Sequence, residues 1–357
     1  MNTKKQLTLN SFLIFYIIQA SQIGVGVLGI PRVLYQETKQ DAWIVIILSG
    51  LILSFILLIM IYTLKKFNDK DLFQIHGILF GEIIGKIINT ILILYFLSAF
   101  YSIMSEYIEL VISWGNEGVY YWFPAFVLIV LSIYGVFGGV KVVAGICFIT
   151  FWFTFWLILL LPLTFDHFIF ERIAPIFNTP VVDIGQGMLK TTYSLLGFEC
   201  ILFIYPFVKD KTKVFRFTLL GIWFTLLLML SLTIVSILFF SPNHLKHTIW
   251  PILNMMSIVR LPFIERFEYI AVSFWILIIY SNLTLFLWIA SKGIKRVFKL
   301  RQKKGVYVSG ILIFILSFVI NDRDSTEKFS DFVNYFGFCL WICYPIFLFL
   351  ITKVKKV

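Results

Sequence analysis

The stretch Gln22-Ile23-Gly24-Val25-Gly26-Val27-Leu28-Gly29-Ile30-Pro31 decides the fold, because it interrupts the first long apolar run of the chain. Each glycine in a helix interior costs roughly 1 kcal/mol relative to alanine, and a proline removes a further backbone donor. In hydrocarbon, a broken helix leaves N–H and C=O groups that water does not reach, so breaks are tolerated where they line a cavity. The stretch therefore predicts a broken membrane helix beside a ligand.

A second interruption, Ser194-Leu195-Leu196-Gly197-Phe198-Glu199, lies inside the sixth apolar run. Interrupted segments at corresponding positions of two halves indicate an inverted-repeat transporter fold with its site near the bilayer midplane. The sequence thus predicts one integral membrane domain over residues 1–357, with five spans in each repeat, at about 9–163 and 186–352.

Composition places the chain in the membrane. Of its 357 residues, 60% are hydrophobic and 14% are charged, and the mean hydropathy is +0.94. The net charge of +11 does not indicate a nucleic-acid partner, because the basic residues cluster in alternate loops, as membrane topology requires. No metal-binding histidine motif, P-loop or nucleophile–base pair is present in the sequence, which predicts no cofactor, no metal and no enzymatic activity.

Ten apolar runs predict ten transmembrane helices in an all-α polytopic protein. The predicted spans are roughly 9–34, 42–64, 83–112, 119–138, 142–163, 186–208, 216–240, 268–291, 305–321 and 332–352. With a cytoplasmic N-terminus, 20 of the 30 lysines and arginines fall in inner loops, among them Lys4 and Lys5, and eight fall in outer loops. This bias predicts that both termini are cytoplasmic. The apolar outer connection 241–267 predicts a short interfacial helix that caps the outer face.

The chemistry of the two breaks points to a small zwitterion. The second halves of the broken helices should begin near Gly26 and Phe198, so both positive helix ends, each about half a charge, face the midplane. Their unpaired N–H groups suit a carboxylate. The carbonyl ends near Gln22–Gly24 and Tyr193–Leu195 suit an ammonium group, so an amino acid is the expected ligand. Alternatively, the glycines serve close helix packing.

These motifs carry a family resemblance. Gly24-x-Gly26-x-x-Gly29-x-Pro31, together with Gly197-Phe198-Glu199, resembles the amino acid–polyamine–organocation transporter superfamily, whose fold is LeuT-like. The segment Gln19–Gly24, the ten spans, and Arg266-Phe267-Glu268 ahead of Trp275 resemble the spore permease family, the B subunits of spore germination receptors. The resemblance implies a nutrient receptor subunit that acts with an A subunit and a C lipoprotein in the spore inner membrane of an endospore-forming bacterium.

In this fold the third span would line the site, and the eighth would reach the ligand from the opposite side through Asn282 or Thr284. The predicted ligand-binding residues are Gln22, Ile23, Gly24, Val25, Gly26, Tyr95, Ser98, Tyr193, Leu196, Gly197, Phe198 and Thr284.

Four charged residues are predicted to act in gating or structure. Glu199 lies at mid-membrane, where an ionisable group is a functional hypothesis by default. It either holds the unwound region or titrates during gating, or it pins neighbouring helices. Glu106 in the third span is deeper than Glu109, which is predicted to be solvated. Arg266 and Glu268 are predicted to stabilise the outer end of the eighth span.

The sequence is compatible with three functions: that of a receptor subunit, of an amino-acid permease, or of a pore-forming subunit. The fifth span, Val142–Leu161, contains no lysine, whereas proton-coupled relatives in the superfamily carry one there. This departure argues against proton coupling. Sodium coupling would need hydroxyl groups such as those of Ser281 and Thr284, although such groups often bond to their own helix.

Overall fold

The computed structural model describes residues 8–67, 70–114, 120–258 and 266–355. Lys4 and Lys5, and residues 259–265 of the second long connection, lie outside the described residues. Over those ranges the chain is a succession of helices, with one isolated parallel bridge between Leu9 and Val208.

The α-helices in chain order are α1 Leu13–Gln22, α2 Gly26–Thr38, α3 Ala42–Lys66, α4 Leu72–Trp114, α5 Trp122–Phe137, α6 Gly139–Phe155, α7 Val181–Ser194, α8 Ile201–Ile204, α9 Val214–Phe239, α10 Pro242–His247, α11 Pro251–Met256, α12 Phe267–Val297, α13 Gln302–Val319, α14 Arg323–Phe338 and α15 Tyr344–Val354. Short 3₁₀ turns extend several of them, and a π-helical segment, Cys339–Cys343, joins α14 to α15.

Within the described ranges, seven helical stretches are long and apolar enough to cross a membrane, and a bent pair formed by Val181–Ser194 and Phe198–Phe207 makes an eighth. The apolar helices α1 and α5 are shorter. Every predicted span contains helix, but the number of ten transmembrane helices stays a prediction. The chain is a multi-pass helical membrane protein.

The ends of some spans differ from those predicted. The third span was expected from residue 83, whereas α4 begins at Leu72 and bends sharply at Gly81, where φ is 80° and ψ is 179°. A Cβ placed on Gly85 would lie 3.1 Å from the backbone of Gly77, so the first turns of α4 fold back against the rest.

The centre of the molecule is built around the two broken helices and α12. Helix α12 packs against α4, α5, α6 and α13, whereas α1 packs against α6, α9 and the 3₁₀ turn Phe198–Cys200. Helix α2 packs against α7 and α9. In lipid, close packing and interhelical hydrogen bonds hold helices together, since apolar surface gains little by leaving an equally apolar solvent. This packing places both breaks at the core.

The connection after α9 contains two short helices, α10 and α11, rather than the single helix predicted. We call this pair the lid. Its apolar side chains Leu245, Ile252 and Leu253 are buried. Arg32 Nε and Gln36 Nε2 of α2 donate hydrogen bonds to the Lys246 carbonyl, at 3.1 and 2.9 Å. The lid therefore covers the end of α2 on one face of the protein, the lid face.

Candidate functional site

The two breaks lie where the glycines predicted them. Helix α1 ends at Gln22 and α2 begins at Gly26; α7 ends at Ser194 and helical structure resumes at Phe198. The axis bends by 49° at the second break. In both cases a short non-helical segment separates the halves, so the first N–H groups of each second half lack an intrahelical partner.

Hydrogen bonds cross between the breaks. Ser21 Oγ donates to the Gly197 carbonyl at 3.0 Å, and Gln22 Nε2 donates to the Leu195 carbonyl at 2.7 Å. Asn282 Nδ2 on α12 donates to the Ile23 carbonyl at 2.7 Å. Two carbonyl groups that we expected to face an ammonium group, those of Ile23 and Leu195, thus already accept bonds from protein side chains. These bonds join the broken helices to each other and to α12.

A cavity of about 140 Å³ lies between the breaks, and we call it the ligand cavity. Seven predicted ligand-binding residues line it: Gln22, Gly24, Val25, Gly26, Tyr95, Tyr193 and Leu196. A Cβ placed on Gly24 or Gly26 would meet nothing within 4 Å, which means that these two glycines leave open space beside the backbone. Their lack of a side chain enlarges the cavity.

Four of the predicted ligand residues lie elsewhere. Ile23 is buried on the opposite side of the first broken helix, and Phe198 is fully buried in the core. Ser98 is half-buried and outside the cavity lining. The Thr284 hydroxyl donates to the Tyr280 carbonyl of its own helix, and its methyl group faces Gly135 of α5. None of these four side chains lines the cavity, so their contact with the ligand stays a prediction that this geometry does not support.

Gly197 also differs from its predicted role. Its φ of +122° is one that L side chains rarely adopt, and a Cβ there would lie 2.3 Å from the Ser21 carbonyl oxygen. The second break needs glycine so that it can press against the first break, and no open space for a ligand adjoins it. This geometry favours the packing alternative for Gly197, and its role in ligand binding stays a prediction.

Sequence reasoning missed part of the cavity lining. The additional residues are Ser21, Val27, Ala99, Ile103, Ser194, Phe286, Val333 and Asn334. Ala99 and Ile103 follow Tyr95 on α4 at intervals of four residues, so helical periodicity could have identified them. Val333 and Asn334 lie on α14, for which no break or charge drew attention.

The polar groups that face the ligand cavity are rich in acceptors. Gln22 and Asn282 line the cavity, and their buried Oε1 and Oδ1 atoms have no hydrogen-bond partner in the described structure, whereas each amide nitrogen donates to a backbone carbonyl. The Glu106 carboxylate also lines the cavity and accepts from Ser102 Oγ at 3.3 Å. No ion pair of Glu106 occurs within the described ranges. An occupant that donates hydrogen bonds or carries positive charge would satisfy these oxygens.

The ligand cavity opens towards the lid face. A vestibule of about 260 Å³ shares Gly26, Glu106 and Asn334 with the cavity and reaches Arg323 and Trp250. Glu109 lies in this vestibule, paired with Arg323 at 2.9 Å, rather than free in solvent.

The opposite face, which we call the basic face, carries Lys292, Lys295 and Arg296. Lys292 Nζ lies 2.8 Å from Asp71 and donates to the Phe203 carbonyl at 3.0 Å. Its side chain is 13% exposed, so this pair fills the space between α12 and the second half of the broken sixth span. The ligand cavity thus adjoins the vestibule on the lid face, and the buried Lys292–Asp71 pair lies towards the basic face.

Arg266 and Glu268 lie at the lid-face end of α12. Arg266 Nε is 2.9 Å from Glu268 Oε1, and its guanidinium lies 4.1 Å from the centre of the Tyr269 ring. Neither residue lines the ligand cavity or the vestibule. Their predicted structural role stays a prediction, and these contacts support it.

The described residues contain no group of three or more His, Cys, Asp or Glu side chains that could hold a metal ion. Ser281 Oγ donates to the Ile278 carbonyl and Thr284 Oγ1 to the Tyr280 carbonyl. Both hydroxyl groups considered for sodium thus bond to their own helix.

Glu199 is buried and braces the second break from within. Its Oε2 accepts from the Gly197 N–H at 2.6 Å, and the Tyr95 hydroxyl, which lines the ligand cavity, lies beside the carboxylate. The carboxylate itself does not line the cavity. It therefore connects the backbone of the break to a cavity side chain.

We expect Glu199→Gln to keep the fold but to shift or abolish the response to ligand. Glutamine retains an oxygen for the Gly197 N–H and nearly the same volume, so the charge is the main loss. Thermal unfolding and a ligand dose-response curve of the same preparation measure the two effects separately. An unchanged dose-response curve would assign Glu199 a packing role only.

A multi-pass helical protein with two broken helices around a central cavity is of the LeuT type, the fold class predicted. A solved structure titled as the substrate-bound outward-open state of a Na⁺-coupled sialic acid symporter superposes with a TM-score of 0.69, over 95% of this chain and 78% of that one. At 11% sequence identity, the likeness concerns the fold alone.

The chain belongs to the spore permease family, whose sequence profile, described as spore germination protein, matches residues 8–326. Spore germination protein GerQB of Bacillus cereus is 32% identical over 344 residues, which cover 96% of this chain and 95% of the relative. Spore germination protein A2 of Bacillus subtilis strain 168 is 27% identical over 356 residues, which cover 98% and 97%. The predicted family is confirmed.

Proposed function

We propose that this chain is a nutrient germinant receptor subunit that binds an amino acid in the ligand cavity and signals spore germination together with partner subunits. Membership of the spore permease family supports the role in germination. The transporter fold supports a small-molecule ligand bound between the broken helices.

The mixed polarity of the cavity lining carries the proposal. The N-terminal end of α2 at Gly26 lines the cavity, and its N–H groups and partial positive charge suit a carboxylate. Gln22 and Asn282, whose side-chain oxygens have no partner in the described structure, line the same cavity, as does Glu106. A zwitterion would satisfy both sets of groups, which no singly charged molecule does.

The proposed partners are the receptor A and C subunits and the lipid bilayer, and the proposed location is the spore inner membrane with both termini cytoplasmic. The concentration of lysine and arginine on one set of loops supports this orientation. It makes the basic face cytoplasmic and the lid face outer. We further propose that residues 1–357 form one membrane domain of two repeats.

An amino-acid permease is the second candidate, because the ligand cavity already opens to one face, as in a transport cycle. Net uptake also requires the other face to open and a driving ion. Helix α6 carries no lysine after Lys141 at its start. A receptor requires only a ligand that binds one conformation better than the other. Moving a population from 1:99 to 99:1 takes about 5.5 kcal/mol of preference, which partner subunits can share.

Reconstitution into proteoliposomes tests the proposal. We expect the lone chain to bind its amino acid but not to accumulate it under imposed proton or sodium gradients. When the chain is reconstituted together with A and C subunits, addition of the ligand should trigger ion release. Accumulation by the lone chain, abolished by Gly26→Leu, would establish the permease instead.

A further inference from the structure

A second cavity, of about 50 Å³, lies on the opposite side of the broken first helix from the ligand cavity. Ile23 and Val27 form its wall beside the break, and Ile252 and Met256 of the lid form another wall. The rest comes from Gln19 of α1, from α6 with the turn that follows it, and from α9 and α12. An occupant would therefore touch both the break and the lid.

The wall is mostly apolar, and its polar side chains belong to Gln19, Thr154 and Trp275. Trp275 of α12 lines the cavity, its side chain is 6% exposed, and no acceptor in the described ranges reaches its Nε1. An indole N–H is a donor only, and a buried donor without a partner is costly. The Thr154 hydroxyl, another polar group of the wall, already donates to the Thr150 carbonyl of its own helix.

We propose that this second cavity binds a small, neutral, largely apolar molecule with one hydrogen-bond acceptor, which the Trp275 N–H engages. The absence of charged side chains among the lining residues excludes an ion. One water fits in about 10–15 Å³ by the same measure, so a compact molecule of several non-hydrogen atoms matches the space. The site is separate from the ligand cavity and does not depend on the proposed amino-acid ligand.

Saturation-transfer NMR of the full chain in deuterated detergent tests the proposal, with cyclopentanone and cyclopentane as probes. The two rings have similar shape, but only the ketone carries an acceptor. We expect saturable transfer to cyclopentanone, an affinity for it at least tenfold above that for cyclopentane, and loss of this difference in Trp275→Phe. Ile278→Phe, which fills the cavity and keeps the N–H, should abolish saturable binding of both probes.

Trp223→Phe is the matched control, because Trp223 lies outside this cavity and its Nε1 donates to Ser54 Oγ at 3.1 Å. It should leave ketone binding unchanged, and thermal unfolding of both variants shows that each is still folded. Three results would overturn the proposal: no saturable ketone binding to the wild type, equal ketone affinity in Trp275→Phe, or equal ketone affinity in Ile278→Phe.

Discussion

Replacing Gly197 by alanine adds one methyl group and is expected to destabilise the protein by about 2–6 kcal/mol. A strained backbone at φ +122° contributes about 1–3 kcal/mol, and overpacking against the Ser21 backbone contributes a similar amount. Purified protein should show a lower unfolding temperature, and the cellular level should fall. The loss should be present without ligand.

Gly24→Ala is the matched control for this variant. It adds the same methyl group at the other break, where nothing lies within 4 Å of the new Cβ. Its unfolding temperature should stay close to that of the wild type. Equal stability of the two alanine variants would show that the breaks do not press against each other at Gly197.

Replacing Gly26 by leucine is expected to abolish ligand binding while the protein folds normally. The new Cβ meets no atom within 4 Å, and the larger side chain then extends into a cavity of only about 140 Å³. We expect affinity to fall at least about 100-fold, since a ligand and a leucine side chain cannot share that space. Equilibrium binding and thermal unfolding of the same preparation separate the two effects.

Gly185→Leu is the control for the leucine substitution. Gly185 is an exposed glycine of α7, it also has open space at its Cβ, and it lies outside the ligand cavity. This variant should bind ligand like the wild type. Normal affinity in Gly26→Leu would mean that the ligand does not occupy the cavity between the breaks.

The positions of the breaks could be predicted because they depend on local chemistry. Glycine and proline weaken a helix wherever it lies, so the segments around Gly26 and Gly197 were visible in the sequence alone. The sequence did not show why residue 197 has to be a glycine. The reason is the approach of Ser21, which is distant in sequence and adjacent only after packing.

Side-chain direction limited the prediction of the cavity. Asn282 and Thr284 are two residues apart, so on a helix they point to nearly opposite sides, and only Asn282 faces the cavity. The sequence does not show which face of α12 points towards the breaks, so both residues were candidates. The two lid helices could have been predicted, because Pro242 and Pro251 each occupy a first helical position.

The central claim is that the cavity between the breaks holds both charged ends of an amino acid. Equilibrium binding of the twenty radiolabelled amino acids to the purified full chain, with N-acetyl and methyl-ester forms as competitors, tests it most directly. We predict that at least one amino acid binds, and that capping either end weakens binding at least about tenfold, since hydrogen bonds to charged groups contribute about 1.5–3 kcal/mol each. Undiminished competition by a capped form, or no binding of any amino acid, would contradict the account.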